Sequence, residues 1–182
     1  MIYIKGGSMN KKMIILSGKQ FSGKDTVAAM LLKLLPGFER IGIGDAIKIE
    51  YSRRTGLSLE EIEKNKSNYR PDLIALGDEG RAKDPDYWLK KIIDYENSVI
   101  VPDIRLPHEL ELFKKHGAIS IRVESSREAR ANRGTLVKED DTTEVALDNV
   151  KDWDYVIENN SGLEELTSQV EKIADDIRRK IA

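Results

Sequence analysis

The stretch Gly18-Lys19-Gln20-Phe21-Ser22-Gly23-Lys24-Asp25-Thr26 has residue types and spacing suited to holding a chain of phosphates. Gly18 and Gly23 lack a Cβ, so the backbone between them can turn with successive N–H groups pointing into one concavity. Lys24 adds a mobile positive charge for the outer phosphate oxygens. The pattern G-x4-G-K-[ST] is met except at its last place. There Asp25 stands where a hydroxyl side chain usually ligates Mg²⁺, and Thr26 follows one position later. Gly18, Ser22, Gly23, Lys24, Asp25 and Thr26 are therefore the expected phosphate-binding residues, with Asp25 and Thr26 on the metal side.

Val99-Ile100-Val101-Pro102-Asp103-Ile104-Arg105 forms a second constellation. An apolar strand ending in Asp places a carboxylate at the sheet edge where open α/β sheets bind ligands. Asp103 there could hold Mg²⁺ through water or orient an acceptor oxygen, and Arg105 could grip a phosphate bidentately. A third group, Arg127, Arg130 and Arg133, repeats every three residues, which puts the row on one helix face. Followed by the polar run Glu139-Asp140-Asp141-Thr142-Thr143, it reads as a mobile lid over about residues 126–144. Such a lid brings cations over the phosphates and excludes water. Between the first two constellations, Asp45, Lys48, Tyr69, Arg70 and Arg81 fall in a region of about 45–95 expected to bind the acceptor. Trp88 and Trp153 read as core residues, His108 and His116 as surface residues.

These groups need a frame, and the chain supplies one. Met13-Ile14-Ile15-Leu16 reads as a strand feeding the glycine loop, and Val27 to Leu35 as the helix after it. That strand–loop–helix order is the setting of a phosphate-binding P-loop, with the helix dipole aimed at the anion. Phe38 to Ile43 suits a short strand, and Ala46 to Arg54 a helix ending at Gly56. Ser58 and Glu61 form a capping box. Helices are expected over Pro71 to Ala82, Asp86 to Tyr95 and Pro107 to His116. Ser98 to Val101, Ile119 to Val123 and Tyr155 to Ile157 read as strands. Leu163, Leu166, Val170, Ile173, Ile177 and Ile181 stripe a C-terminal helix. This alternation predicts an α/β three-layer sandwich with a mostly parallel central sheet, in one domain over residues 11–182. Residues 1–10, with Gly6-Gly7-Ser8, read as an extension or tag.

Composition narrows the chemistry. Across 182 residues, 30 Lys and Arg against 32 Asp and Glu give a net charge of −2. No basic field favours nucleic acid or an anionic membrane. The absence of cysteine removes disulfides and thiolate chemistry. No apolar run approaches the ~18–20 residues of a membrane span, so a cytoplasmic enzyme is expected. A GTPase is disfavoured because the nearest match to its Asn-Lys-x-Asp motif, Asn65-Lys66-Ser67-Asn68, ends in the wrong residue.

From the P-loop to the C-terminus the chain resembles the animal-type phosphomevalonate kinases, P-loop kinases of the nucleoside-monophosphate-kinase superfamily. Phage deoxynucleoside monophosphate kinases are similar too. The matching pieces are Ser22-Gly23-Lys24-Asp25, Gly77-Asp78-Glu79-Gly80-Arg81 with Asp84-Pro85, and Asp103-x-Arg105. Ser126 to Gly134, Leu147-Asp148-Asn149 and Asp154 to Asn159 complete them. The resemblance implies an NMP-kinase-like fold and transfer of the ATP γ-phosphoryl group, with Mg²⁺, onto an existing phosphate of a small substrate. It also implies roles: Lys24 on the ATP phosphates, Arg105 and Lys48 on the acceptor, Arg130 and Arg133 from the lid. Three positions depart from the animal pattern: Gln20 and Phe21 stand where it has basic residues, and Leu106 where it has a second Arg. Val101 to Arg105, with His108-Glu109 beyond, lies nearer the phage enzymes. Phosphomevalonate leads on whole-chain match, with a (deoxy)nucleoside monophosphate as the alternative acceptor. An ATP-binding regulatory protein is the reading from a different class.

Overall fold

Met13–Ser17 (β1) is buried along its whole length, as a strand covered by helices on both faces must be. The computed structural model describes residues 11–181; the stretch 1–10, read as an extension or tag, lies outside the described residues. After β1 the chain runs through Lys24–Leu34 (α1), Phe38–Arg40 (β2), Ile43–Thr55 (α2), Leu59–Lys64 (α3), Lys66–Lys83 (α4) and Tyr87–Ile93 (α5). It continues through Ser98–Val101 (β3), Pro107–Lys115 (α6), Ile119–Glu124 (β4), Arg127–Arg133 (α7), Thr142–Val145 (α8), Tyr155–Glu158 (β5) and Leu163–Ile181 (α9). Two compact units result: one runs to Arg40 and resumes at Glu96, and the other is Ile41–Tyr95.

The first unit holds all five strands in the order β2-β3-β1-β4-β5. Every pairing is parallel, with Ile15 opposite Val101 on one side and Ser17 opposite Arg122 on the other. Ile14, Leu16, Ile100, Ile121, Val123 and Ile157 pack with Val27, Ala28 and Leu31 of α1 and with the Val170, Ile173 and Ile177 stripe of α9. The α6 helix packs beside β1 and β4 and buries Leu110 and Phe113. Helices on both sheet faces make the expected three layers. Among the described residues no helix is long and apolar enough to cross a membrane.

The second unit is helical, α2 to α5. Its core includes Ile62, Leu76, Trp88, Leu89 and Ile92. The Trp88 indole N–H donates to the Gly77 carbonyl at 3.0 Å, and a Cβ at Gly80 would meet the Trp88 ring at 2.6 Å. Glu50 is buried between Arg53 and Arg54. The Arg53 bond, helped by Arg54 and opposed by burial, lowers its pKa to about 2.

Local expectations needed adjustment in three places. The strand β2 stops at Arg40, and α2 begins at Ile43 with the Asp45 carboxylate accepting from the Gly42 N–H at 2.9 Å. The α4 helix begins five residues before Pro71 and carries that proline inside it, so proline marks no start there. Ser58 caps α3 by accepting from the Glu61 N–H, but the Glu61 carboxylate takes the Asn65 amide at 2.7 Å.

Candidate active site

Because the strands are parallel, the loops after β1, β3 and β4 leave the sheet at one edge. The Ile104 N–H donates to the Leu16 carbonyl at 2.8 Å, which ties the turn after β3 to the base of the glycine loop. A Cβ at Gly18 would lie 2.6 Å from the Val123 carbonyl oxygen. Gly23 caps α1 with φ 99°, in the left-handed region, and faces the Asn159 side chain, which donates to the Ser22 carbonyl at 2.8 Å. Phe21 also has positive φ, 58°, a conformation that costs a side-chain-bearing residue about 1–2 kcal/mol. The loop is held in this shape by packing, although one of its residues prefers otherwise.

The charged groups form a circuit. Lys24, buried at the start of α1, places its Nζ 3.5 Å from Asp103. The other Asp103 oxygen accepts from Arg105 Nε at 2.9 Å. Arg105 Nη1 donates to Glu144 at 2.7 Å, and the second Glu144 oxygen accepts from the Gln20 backbone N–H at 2.9 Å. The path thus leaves the P-loop at Lys24 and returns to it at Gln20. Burial works against the Arg105 charge, but the bonds to Asp103 and Glu144 outweigh it and raise its pKa. The Arg105 backbone is fixed as well, its N–H donating to Glu109 at 2.9 Å.

The arginine row of α7 is divided between two environments. Arg127 is exposed and pairs with Glu139 at 2.8 Å. Arg130 is buried and reaches the Gln20 carbonyl at 3.5 Å, while Arg133 donates to the Phe21 carbonyl at 3.1 Å and the Asn159 carbonyl at 2.7 Å. Gln20 and Phe21 reciprocate. The Gln20 side chain donates to the Val137 carbonyl at 2.6 Å and accepts from its N–H at 3.3 Å. The Phe21 ring lies against Gly134, where a Cβ would overlap it. The segment expected to be a lid is fastened to the P-loop by these contacts. Gln20 and Phe21, which the sequence marks only as lost cations, do the fastening.

Among the described residues, Ser22 Oγ and Arg130 Nε are buried without a hydrogen-bond partner. Leaving such groups unpaired costs about 1–3 kcal/mol each, and phosphate oxygens are the acceptors that suit both. Triphosphate thus fits this loop. A cavity of about 400 Å³ is lined by Gln20, Phe21, Gly23, Lys24, Asp25, Thr26 and Arg133. Another of about 550 Å³ includes Lys19, Arg122, Ser126, Arg127 and Asp148 in its wall. For Mg²⁺, Asp25 and Thr26 are exposed, with Asp25 3.7 Å from Arg40. Among the described residues no group of three or more His, Asp or Glu is arranged to hold a metal. Oxygen donors at Asp25, Thr26 and Asp103 suit Mg²⁺ carried on phosphates, which needs no all-protein cage.

The remaining predicted residues lie in the helical unit. Lys48 is held by Glu63 at 2.7 Å and Asp45 at 3.1 Å. Burial lowers its pKa and these partners more than restore it, for a net rise. The Tyr69 hydroxyl donates to Glu61 at 3.4 Å, Arg70 is exposed, and Arg81 pairs with Asp78 at 2.7 Å. Arg70 and Arg81 stand about 16 Å apart along α4 by its rise per residue, so they do not form one cluster. His108 and His116 are exposed and Trp88 is buried, as expected. Trp153 is only half-buried, with the Arg122 guanidinium 5.8 Å from its ring centre.

Four residues at the site have no role in the sequence reading, although Asp148 and Asn159 fall in its matching pieces. Glu144 closes the circuit, and Asn159 backs Gly23. Buried Arg122 donates to Ser17 Oγ at 3.0 Å and to Asp148 at 3.2 Å, while Lys19 reaches the same Asp148 at 2.6 Å.

Comparison with known proteins agrees with this geometry. A phosphomevalonate kinase family model matches residues 16–118, and a deoxynucleotide monophosphate kinase model matches residues 82–170. Drosophila melanogaster phosphomevalonate kinase is 29% identical over 172 residues, covering 85% of this chain and 91% of the fly protein. Among solved structures, Aquifex aeolicus shikimate kinase superposes with a TM-score of 0.53 at 20% identity, covering 92% of this chain and 97% of that one. Mycobacterium tuberculosis APS kinase, solved with AMPPNP and APS, gives a TM-score of 0.50 at 14% identity, covering 93% and 96%. These two likenesses establish the fold. With a family model spanning more than half its length and a P-loop of the right geometry, this chain belongs to the phosphomevalonate kinase family and is a P-loop kinase.

Proposed function

We propose that the protein transfers the γ-phosphoryl group of ATP to the phosphate of phosphomevalonate, forming a diphosphate and ADP. The observation that carries this reading is the Asp103 carboxylate, shared between the P-loop lysine and Arg105 at 3.5 and 2.9 Å. Donor-side and acceptor-side cations are thereby brought to one point. When ATP binds, Lys24 exchanges Asp103 for the β/γ oxygens, and Arg105, held by Asp103 and Glu144, offers Nη2 to the acceptor phosphate. The P-loop amides and Ser22 Oγ receive the anionic tail, with Arg130 and Arg133 supporting the loop from α7. Mg²⁺ would supply charge neutralisation on the phosphates, and Asp25, Thr26 and Asp103 are the residues that would hold it. An acceptor phosphate is already a nucleophile, so positioning and neutral charge balance matter more than a strong base. Asp45, Lys48, Tyr69, Arg70 and Arg81 are assigned to acceptor recognition, and residues 126–144, fastened to the P-loop, to a lid that covers the nucleotide. The chain functions as one kinase domain.

A (deoxy)nucleoside monophosphate is the second acceptor reading. It is favoured by the deoxynucleotide monophosphate kinase match over residues 82–170 and by uncharged Gln20, Phe21 and Leu106. Phosphomevalonate carries a carboxylate as well as a phosphate, and those positions offer it no cation. A coupled assay of ADP release, with ATP, Mg²⁺ and either phosphomevalonate or each nucleoside and deoxynucleoside monophosphate, separates the two. Phosphomevalonate is expected to stimulate ADP release most. Stimulation by a nucleotide alone transfers the assignment to the second reading, and none by any acceptor refutes both.

A further inference from the structure

Glu144 lies on the one-turn helix α8, and its side chain is only 4% exposed. A carboxylate so deeply buried is costly unless each oxygen is satisfied. Both are: one accepts Arg105 Nη1 at 2.7 Å and the other the Gln20 N–H at 2.9 Å. Arg105 Nε is committed to Asp103 at 2.9 Å. Two of the three guanidinium nitrogens are thus fixed, one by the turn after β3 and one by α8. Among the described residues that leaves Nη2 as the nitrogen presented to an incoming oxygen. Asp141 starts this turn of helix by accepting from the Thr143 N–H at 2.9 Å and hydroxyl at 2.7 Å, which holds Glu144 in place.

We infer that Glu144 is a positioning residue for phosphoryl transfer, setting the orientation of Arg105 relative to the P-loop through its simultaneous bond to the Gln20 amide. This rests on the reading of Arg105 as a ligand of the acceptor phosphate. The Nη2 N–H groups meet a phosphate oxygen well only when the guanidinium plane is aimed correctly. An error of about 1 Å in such a group costs up to about 100-fold in rate. The Gln20 bond gives the aim a reference: it measures Arg105 against the loop that carries the donor phosphates. Glu144 touches neither phosphate in this account and acts through Arg105.

The test is a double-mutant cycle between Glu144→Gln and Arg105→Lys, read as KM for ATP, KM for the acceptor and kcat. Glu144→Gln keeps the shape but loses the charge and one acceptor oxygen. It should raise the acceptor KM or lower kcat by about tenfold or more while KM for ATP stays unchanged. In the Arg105→Lys background it should add nothing, because the residue it orients is gone. Glu144→Asp, which keeps the charge but is too short to reach both partners, should show the same acceptor-selective defect if the first variant folds poorly. Wild-type acceptor kinetics in both Glu144 variants overturn the inference, as does an undiminished Glu144→Gln effect in the Arg105→Lys background. So does an equal rise in both KM values with a lowered melting temperature. If Arg105→Lys alone has a wild-type acceptor KM, the acceptor role of Arg105 itself falls, and the inference with it.

Discussion

Gly23→Ala separates two costs that the structure places at one residue. The backbone there has φ 99°, where an L-residue pays about 1–2 kcal/mol. The new methyl would also overlap Asn159 Nδ2, displacing the amide that donates to the Ser22 carbonyl at 2.8 Å. Losing that bond adds about 1 kcal/mol. The sum, about 2–3 kcal/mol, corresponds to a fall in melting temperature of roughly 5–10 °C for a domain of this size. It should also weaken ATP binding, because the distortion sits in the loop itself. Asn159→Ala alone should cost only its hydrogen bond. In the double variant the overlap disappears while the backbone strain remains, so the combined loss should be smaller than the sum of the single losses by about 1 kcal/mol. Thermal unfolding and ATP titration of all four proteins measure this. A double variant with strictly additive losses, or a Gly23→Ala protein of wild-type stability and ATP affinity, would refute the reasoning.

Three further outcomes follow from individual contacts. Lys24→Ala should reduce transfer by about 10²–10³-fold with an unchanged circular dichroism spectrum; normal turnover in the coupled assay would remove Lys24 from the mechanism. Gln20→Ala removes both side-chain bonds to Val137, about 1 kcal/mol for such exposed bonds. Hydrogen exchange around Val137 should then quicken roughly fivefold, and unchanged exchange would show that the fastening lies elsewhere. Glu50 has its pKa lowered to about 2 from 4.5. Its ionic contribution is therefore present above the unfolded value and is lost as pH falls from about 4.5 toward 2. Urea melts should show the wild type losing more stability across that window than Glu50→Gln, and parallel pH profiles would contradict the assignment.

The parts of the site written in local chemistry were legible. Gly18 and Gly23 announce a backbone that turns, and the apolar run before them and helix pattern after them settle its setting. Asp103 and Arg105 could be singled out because an apolar strand points them at the edge where open α/β sheets bind ligands. The C-terminal stripe from Leu163 to Ile181 matched its helix because 3.6-residue periodicity survives without tertiary information. Glu144 was not found, since four acidic residues lie within Glu139 to Glu144 and only the folded chain selects which is buried. Gln20 and Phe21 misled for a related reason. Their types say that charge is missing, while their partners, Val137 and Gly134, lie more than one hundred residues away in the chain. Pro71 lies inside α4 rather than at its start, so a proline alone did not mark the boundary.

The account turns on the meeting of Lys24, Asp103 and Arg105 at the edge of the sheet. A crystal structure with a non-hydrolysable ATP analogue and phosphomevalonate examines it most directly. Lys24 Nζ should have moved from Asp103 onto the β/γ-phosphate oxygens, with Arg105 Nη2 on the acceptor phosphate and Glu144 still joined to Gln20. A nucleotide bound away from the glycine loop, or an acceptor phosphate beyond the reach of Arg105, would contradict it.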